Sequence, residues 1–182
     1  MSLFPVINFG KDPKEAHEWL LQNVKEVPLS YRKWLASYYP DAYVRREYLK
    51  SIGVVFADET SFVNIGFLPV PNSPSKTHVR IGSHVSVAPN VVCVTESDAN
   101  NGFEINMHPY VAKKLTKSED IVIEDEAWIG ANVTILPGVT IGRCAVIGAG
   151  CVMPNNAEPY GIYAGVPGKK IGDVRQWDEA DR

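Results

Sequence analysis

The side chains able to move a proton or hold a metal near neutral pH are few: His17, His78, His84 and His108, with Cys93, Cys144 and Cys151. Imidazole both accepts and returns a proton in this range and is a common metal ligand. His108 stands in Met107-His108-Pro109, within a stretch of no regular pattern. On residue type alone such a histidine reads as a solvated loop side chain. The cysteines form neither a CxxC motif nor a paired framework, which predicts a reduced, cytoplasmic setting. Lys169 and Lys170 are adjacent cations, able to pair with phosphate as point charges but equally ordinary as surface decoration.

Composition excludes some classes. At 182 residues the chain suits one compact domain with an extension. No apolar run approaches the ~18 residues of a membrane span, so none is expected. The opening Met1-Ser2-Leu3-Phe4-Pro5 lacks the charged-then-apolar layout of a secretory signal. A net charge of −3 predicts no nucleic-acid partner.

What must position the candidate residues is a repeat. Stepping by six from Ile123 gives Ile129, Ile135, Ile141, Ile147 and Met153. Stepping by six from Ala127 gives Val133, Val139, Ala145, Cys151 and Ala157, all small. A third row, Glu124, Gly130, Leu136, Gly142, Gly148 and Pro154, is rich in glycine. Within each unit the two apolar positions lie two residues apart, so both face one side of a short strand. The remaining residues must turn the chain, and Gly, Asn and Asp supply the backbone angles for that. Three sides of six residues make a triangular coil of about 18, and stacked coils bury a continuous aliphatic column. A helix would need apolar spacing near 3.6. The predicted fold is therefore mainly β, a parallel β-helix.

The rows recur at Ile81, Val87 and Cys93, with Val85 and Val91 beside them. They recur more weakly around 55–66, where Phe56 and Phe62 are the expected inward residues. Residues 67–78 read as a loop. The repeat lapses again from 94 to about 120, a length that in a compact domain is usually functional or disordered. Upstream, Asp12-Pro13-Lys14-Glu15 reads as a capped start for a helix over 13–26. Further helices are expected over 29–39 and over 42–52, the last capped by Asp41 and ended by Gly53. These helices are expected to cover the open end of the coil stack. The predicted organisation is a helical region over 1–53, a β-helix over 54–172 with its excursion, and a polar tail over 173–182.

The run Trp128-Ile129-Gly130-Ala131-Asn132-Val133-Thr134-Ile135-Leu136-Pro137-Gly138 closely resembles the galactoside and maltose O-acetyltransferase group of the hexapeptide-repeat acyltransferases. The likeness continues through Val146-Ile147-Gly148-Ala149-Gly150 and Ala164-Gly165-Val166-Pro167-Gly168-Lys169, and covers Ile81 to Val91. It spans roughly 54–171. The resemblance implies a left-handed coil, against the usual right-handed crossover, and the hand is not read from the periodicity. It also implies an enzyme moving an acetyl group from acetyl-CoA to a hydroxyl of a sugar or saccharide, working as a homotrimer with shared sites.

By the same resemblance, His108 matches the His-Pro element carrying the family's catalytic base. The oxyanion donor falls on the backbone N–H of Ala131, which needs no particular side chain. Ala149 and Gly150 occupy the small positions along which the pantetheine arm of coenzyme A is laid. Lys169 and Lys170 fall near the adenine nucleotide, and Trp128 and Asn64 at the acceptor. Two departures stand out: Asn90 and His108 are separated by an insertion, and Pro154 replaces a hydrogen-bonding threonine. No metal is expected. A γ-class carbonic anhydrase-like hydratase would need three converging histidines. His78 and His84 lie one triangle side apart, not one coil, and His17 lies in the helical region. The acidic and histidine elements of serine acetyltransferases are not evident either. A non-catalytic trimeric scaffold is the remaining alternative.

Overall fold

The computed structural model describes residues 13–70 and 78–176. The capping expectation at Asp12, most of the 67–78 loop and the end of the tail lie outside these residues. Three helices come first: α1 (Pro13–Gln22), α2 (Leu29–Tyr38) and α3 (Ala42–Ser51). The first is shorter than expected, giving way to a turn in which the Asn23 side chain donates to Trp19 O at 2.8 Å. Asp41 caps α3 by accepting from the Val44 N–H at 2.9 Å. Gly53 follows with φ of +101°, a left-handed conformation that glycine enters freely.

From Val54 the chain is laid in tiers of three short strands. The first tier is β1 (Val54–Phe56), β2 (Phe62–Val63) and β3 (Leu68–Val70), and the second is β4 (Val79–Ile81), β5 (Ser86–Val87) and β6 (Val92–Val94). An arm then departs: β7 (Glu96–Ser97), α4 (Phe103–Asn106), a short π-helix (Val111–Leu115) and β8 (Lys117–Ser118). The third tier is β9 (Ile121–Ile123), β10 (Trp128–Ile129) and β11 (Thr134–Ile135), and the fourth β12 (Thr140–Ile141), β13 (Val146–Ile147) and β14 (Val152–Met153). Ala157 bridges to Ile141 to begin a fifth, which ends in β15 (Gly161–Ala164) and β16 (Lys169–Asp173).

Successive strands visit three sheets in rotation: β1-β4-β9-β12, then β2-β5-β10-β13-β15-β16, then β3-β6-β11-β14. Every pairing in them is parallel except β15 with β16. Ile123 pairs with Ile141 and Ile129 with Ile147, each eighteen residues on. Both six-residue rows point inward: Ile129, Ile135 and Ile141 are fully buried, as are Val133, Ala145 and Cys151. Ile81 pairs with Ile123, forty-two residues away, so the arm inserts twenty-four residues into one tier. It is not a bare loop: β7 and β8 pair antiparallel as its stem.

The first tier departs from the expected phase. Phe62 points outward at 49% exposed, while Val63 and Phe67 are buried. Phe56 is partly buried against the core. From Phe56 to Val63 is seven residues rather than six, and one extra residue carries each later side chain to the opposite face. The expected loop also hides β3. Pro69 sits in it without breaking the ladder, because Leu68 N–H donates to Val91 O while the next nitrogen along points to the free edge.

That free edge is where the helices act. Phe62 and Asn64 direct their N–H groups toward the second tier, so the Val63 carbonyl faces away from it. Arg45, only 3% exposed, donates to it at 3.2 Å, and to Tyr39 O and Pro40 O at 2.6 and 2.7 Å. Arg46 reaches Ser61 O, and the Ser37 hydroxyl donates to Phe67 O at 3.0 Å. Burial pushes the Arg45 guanidinium below its ordinary pKa.

Candidate functional site

One corner, between the second and third sheets, gathers most of the predicted residues. There the chain turns through left-handed residues in four tiers: Gly66, Asn90, Asn132 and Gly150, with φ of +81°, +60°, +57° and +72°. Asparagine and glycine tolerate this region; branched residues do not. The turns stack through Asn90 N–H to Ile65 O, Asn132 N–H to Pro89 O, and Gly150 N–H to Ala131 O at 2.8 Å. Beside them, Asn64, Ala88, Gly130 and Gly148 form a second column, each N–H donating to the tier beyond.

Small residues are required here by the packing itself. A Cβ on Gly130 would lie 2.6 Å from Ala149 N, closer than side chains come. The Ala131 carbonyl, which accepts from Gly150 N–H, joins the two segments. Ala149 and Gly150 are themselves exposed, and a Cβ on Gly150 would meet nothing within 4 Å. The Ala131 N–H is taken up by no other backbone carbonyl among the described residues. A free amide above an open strip of small residues suits an oxyanion donor beside a linear thioester arm.

Trp128 projects from the outer face of β10 at 60% exposed, in register with Ser86 and Val146. Phe62 stands in the same column beyond Ser86, so two aromatic rings flank a small residue at successive spacings of about 4.8 Å. The sequence reading missed Phe62 as a surface residue, although the seven-residue step to Val63 carried the signal. Asn64, half-buried, lies in the neighbouring column, its Oδ1 accepting the Ile65 N–H at 2.8 Å.

The lysines close the foot of this corner. Lys169 pairs with Ala164, which packs against Gly148 one tier above. Lys169 is exposed, whereas Lys170 is engaged by Glu158 at 2.7 Å and Asp173 at 3.6 Å. The Glu158 hydrogen bond, chiefly, raises the Lys170 pKa.

His108 is not at this corner in the single chain. Its arm leaves the third sheet after β6 and returns to the first at β9. The imidazole is exposed and makes no hydrogen bond among the described residues. It lines an open depression of about 510 Å³ with Glu104, Ile105, Tyr110 and Val111. Around it the arm is strongly apolar yet uncovered, with Phe103 85% exposed and Met107 and Tyr110 close behind. The remaining histidines do not converge. His78 Nδ1 lies 3.1 Å from Gly53 O, His17 packs edge-on against Tyr39, and His84 is exposed at a positive-φ turn. Among the described residues no three His, Cys, Asp or Glu side chains are grouped to hold a metal, and no helix is long and apolar enough to cross a membrane.

The tiers and this corner define a class. Residues 120–155 match the family model described as bacterial transferase hexapeptide (six repeats). Among curated proteins the chain is similar to the galactoside O-acetyltransferase of Escherichia coli K12, 37% identical over 102 residues, 56% of this chain and 47% of that enzyme. A shorter match, 52% over 52 residues and 29% of each chain, is to a probable macrolide acetyltransferase of Lysinibacillus sphaericus. The chain thus spans about half or less of the length of the curated relatives it matches. The fold is shared with a hexapeptide-repeat acetyltransferase of Vibrio cholerae solved with acetyl coenzyme A, at TM-score 0.59 and 22% identity, covering 96% of this chain and 99% of that one.

Proposed function

We propose that this protein is an acetyl-CoA-dependent O-acetyltransferase acting on a hydroxyl of a sugar or saccharide, on a left-handed β-helix. The observation that carries the reading is the corner track, where Ala131, its N–H given to no backbone carbonyl among the described residues, is joined through its carbonyl to Gly150 N–H beside the exposed, small Ala149. The pantetheine arm runs down this track, with Lys169 at its foot meeting the nucleotide phosphates; Lys170 is the lesser contact, being held by Glu158 and Asp173. Trp128 and Asn64 hold the acceptor, with Phe62 completing its aromatic wall.

In the reaction the acceptor hydroxyl oxygen attacks the thioester carbonyl while His108 Nε2 takes its proton. The oxyanion of the tetrahedral intermediate accepts from Ala131 N–H. The carbon–sulfur bond then breaks, the proton passes from His108 to the coenzyme A thiolate, and the acetyl ester is released. Because the arm and the track belong to different corners, the base and the thioester meet between neighbouring chains of a homotrimer in a cytoplasmic setting. The domain limits of 54–172 for this unit and 1–53 for its helical cap belong to the same proposal.

The test is thiol release from acetyl-CoA with a carbohydrate panel, comparing wild type with His108→Ala and identifying the product by mass spectrometry. The variant is expected to lose at least about a hundredfold in kcat, the usual weight of a general base. Equal release from both sinks the mechanism. No release with any hydroxyl acceptor favours a scaffold, and stoichiometric zinc in the purified protein favours a hydratase.

A further inference from the structure

We propose that Glu104 positions His108, its carboxylate accepting the imidazole Nδ1–H so that Nε2 is free to take the hydroxyl proton. This rests on the reading of His108 as the base. The helical turn that begins in α4 continues through the histidine: Met107 N–H donates to Glu104 O at 3.0 Å and His108 N–H to Ile105 O at 3.2 Å. The bonds are of the i→i+3 kind, so Glu104 and His108 stand little more than one turn apart on the same short segment. Both side chains line the same depression, and Glu104 is the only carboxylate among its lining residues.

The turn that presents them is built rather than loose. The Asn106 amide donates to Gly102 O at 2.5 Å and Asn100 O at 3.3 Å, and Asp98 accepts from Asn100 N–H at 2.8 Å. A Cβ on Gly102 would lie 2.5 Å from Ile105 Cγ2, so this position is closed to side chains. The π-helix packed on α4 brings Tyr110 into the depression, while its Lys113 and Lys114 lie outside the lining. Both Glu104 and His108 are exposed. Ile105 and Val111 form an apolar floor, and covering it with substrate or a neighbouring chain displaces water and strengthens the carboxylate–imidazole bond.

Glu104→Gln, Glu104→Asp and His108→Ala are to be compared with wild type by thiol release across pH, with circular dichroism to check folding. Glu104→Gln is expected to lower kcat roughly tenfold, the scale of a supporting partner. It should also move the acidic limb of kcat/KM to lower pH, because protonated imidazole loses a neighbouring anion. Glu104→Asp keeps the charge, so the limb stays in place at reduced kcat. If Glu104→Gln matches wild type in both kcat and pH profile while His108→Ala is silent, this proposal is overturned and the base stands. If His108→Ala is as active as wild type, the reading beneath it falls as well.

Discussion

In the proposed site, the parts given to Ala131, Ala149 and Gly150 depend on what their side chains lack. Ala149 is exposed and free of the positive φ that constrains Gly150, which makes it the cleaner probe of the track. Ala149→Trp should leave stability within about 0.5 kcal/mol, as exposed substitutions usually do. It should raise KM for acetyl-CoA by roughly tenfold or more, about 1.4 kcal/mol of lost binding. Steady-state kinetics against acetyl-CoA concentration, with a thermal melt alongside, reads both; an unchanged KM removes the pantetheine arm from this strip. These three residues enter through the resemblance carried by Trp128 to Gly138 and Val146 to Gly150; the six-residue phase by itself says only that they fall where the chain turns between strands. Phe62 was not legible, since one extra residue before Val63 reverses which face it takes. The ion pair of Lys170 with Glu158 was also invisible, because the two meet only when β16 folds back.

At the scale of elements, the helices were legible from caps and periodicity, but their purpose was only half so. An arginine in a helix reads as a solvated charge, whereas Arg45 is buried on the turn carbonyls of Tyr39 and Pro40 and on the Val63 carbonyl, which no strand among the described residues pairs. Arg45→Met keeps much of the packing and removes those donors. Leaving buried carbonyls unpaired costs about 1–3 kcal/mol each, so a loss of roughly 2–5 kcal/mol is expected. A urea titration followed by circular dichroism measures it, and an unchanged midpoint would show that water serves these carbonyls as well. Strand β3 escaped the sequence reading for the complementary reason. Pro69 suggests a break only while the direction of its nitrogen is unknown, and that direction is set by the tier beneath. The arm's length was readable, but its stem and helix were not, because neither follows the repeat.

At the scale of the molecule, one chain leaves an apolar arm in water. Phe103, Ile105, Met107, Tyr110 and Leu115 are all exposed together, more than a lone soluble chain ordinarily carries on one projection. In the proposed three-fold assembly each arm would lie on its neighbour, covering these side chains and bringing His108 to an adjoining track. Light scattering is expected to give three chain masses for wild type. Phe103→Asp should shift this toward single chains with loss of activity, since the site is shared; a fully active monomer would end the shared-site arrangement. The two ends of the stack carry a different lesson. Parallel tiers have no natural length, because each new tier offers the next one the same edge. Here growth is stopped by arginines at one face and by β16 turning antiparallel at the other. The protein is in effect a ruler cut by its terminators, so eighteen residues added in register between β11 and β12 would lengthen it by one division and leave both ends as they are.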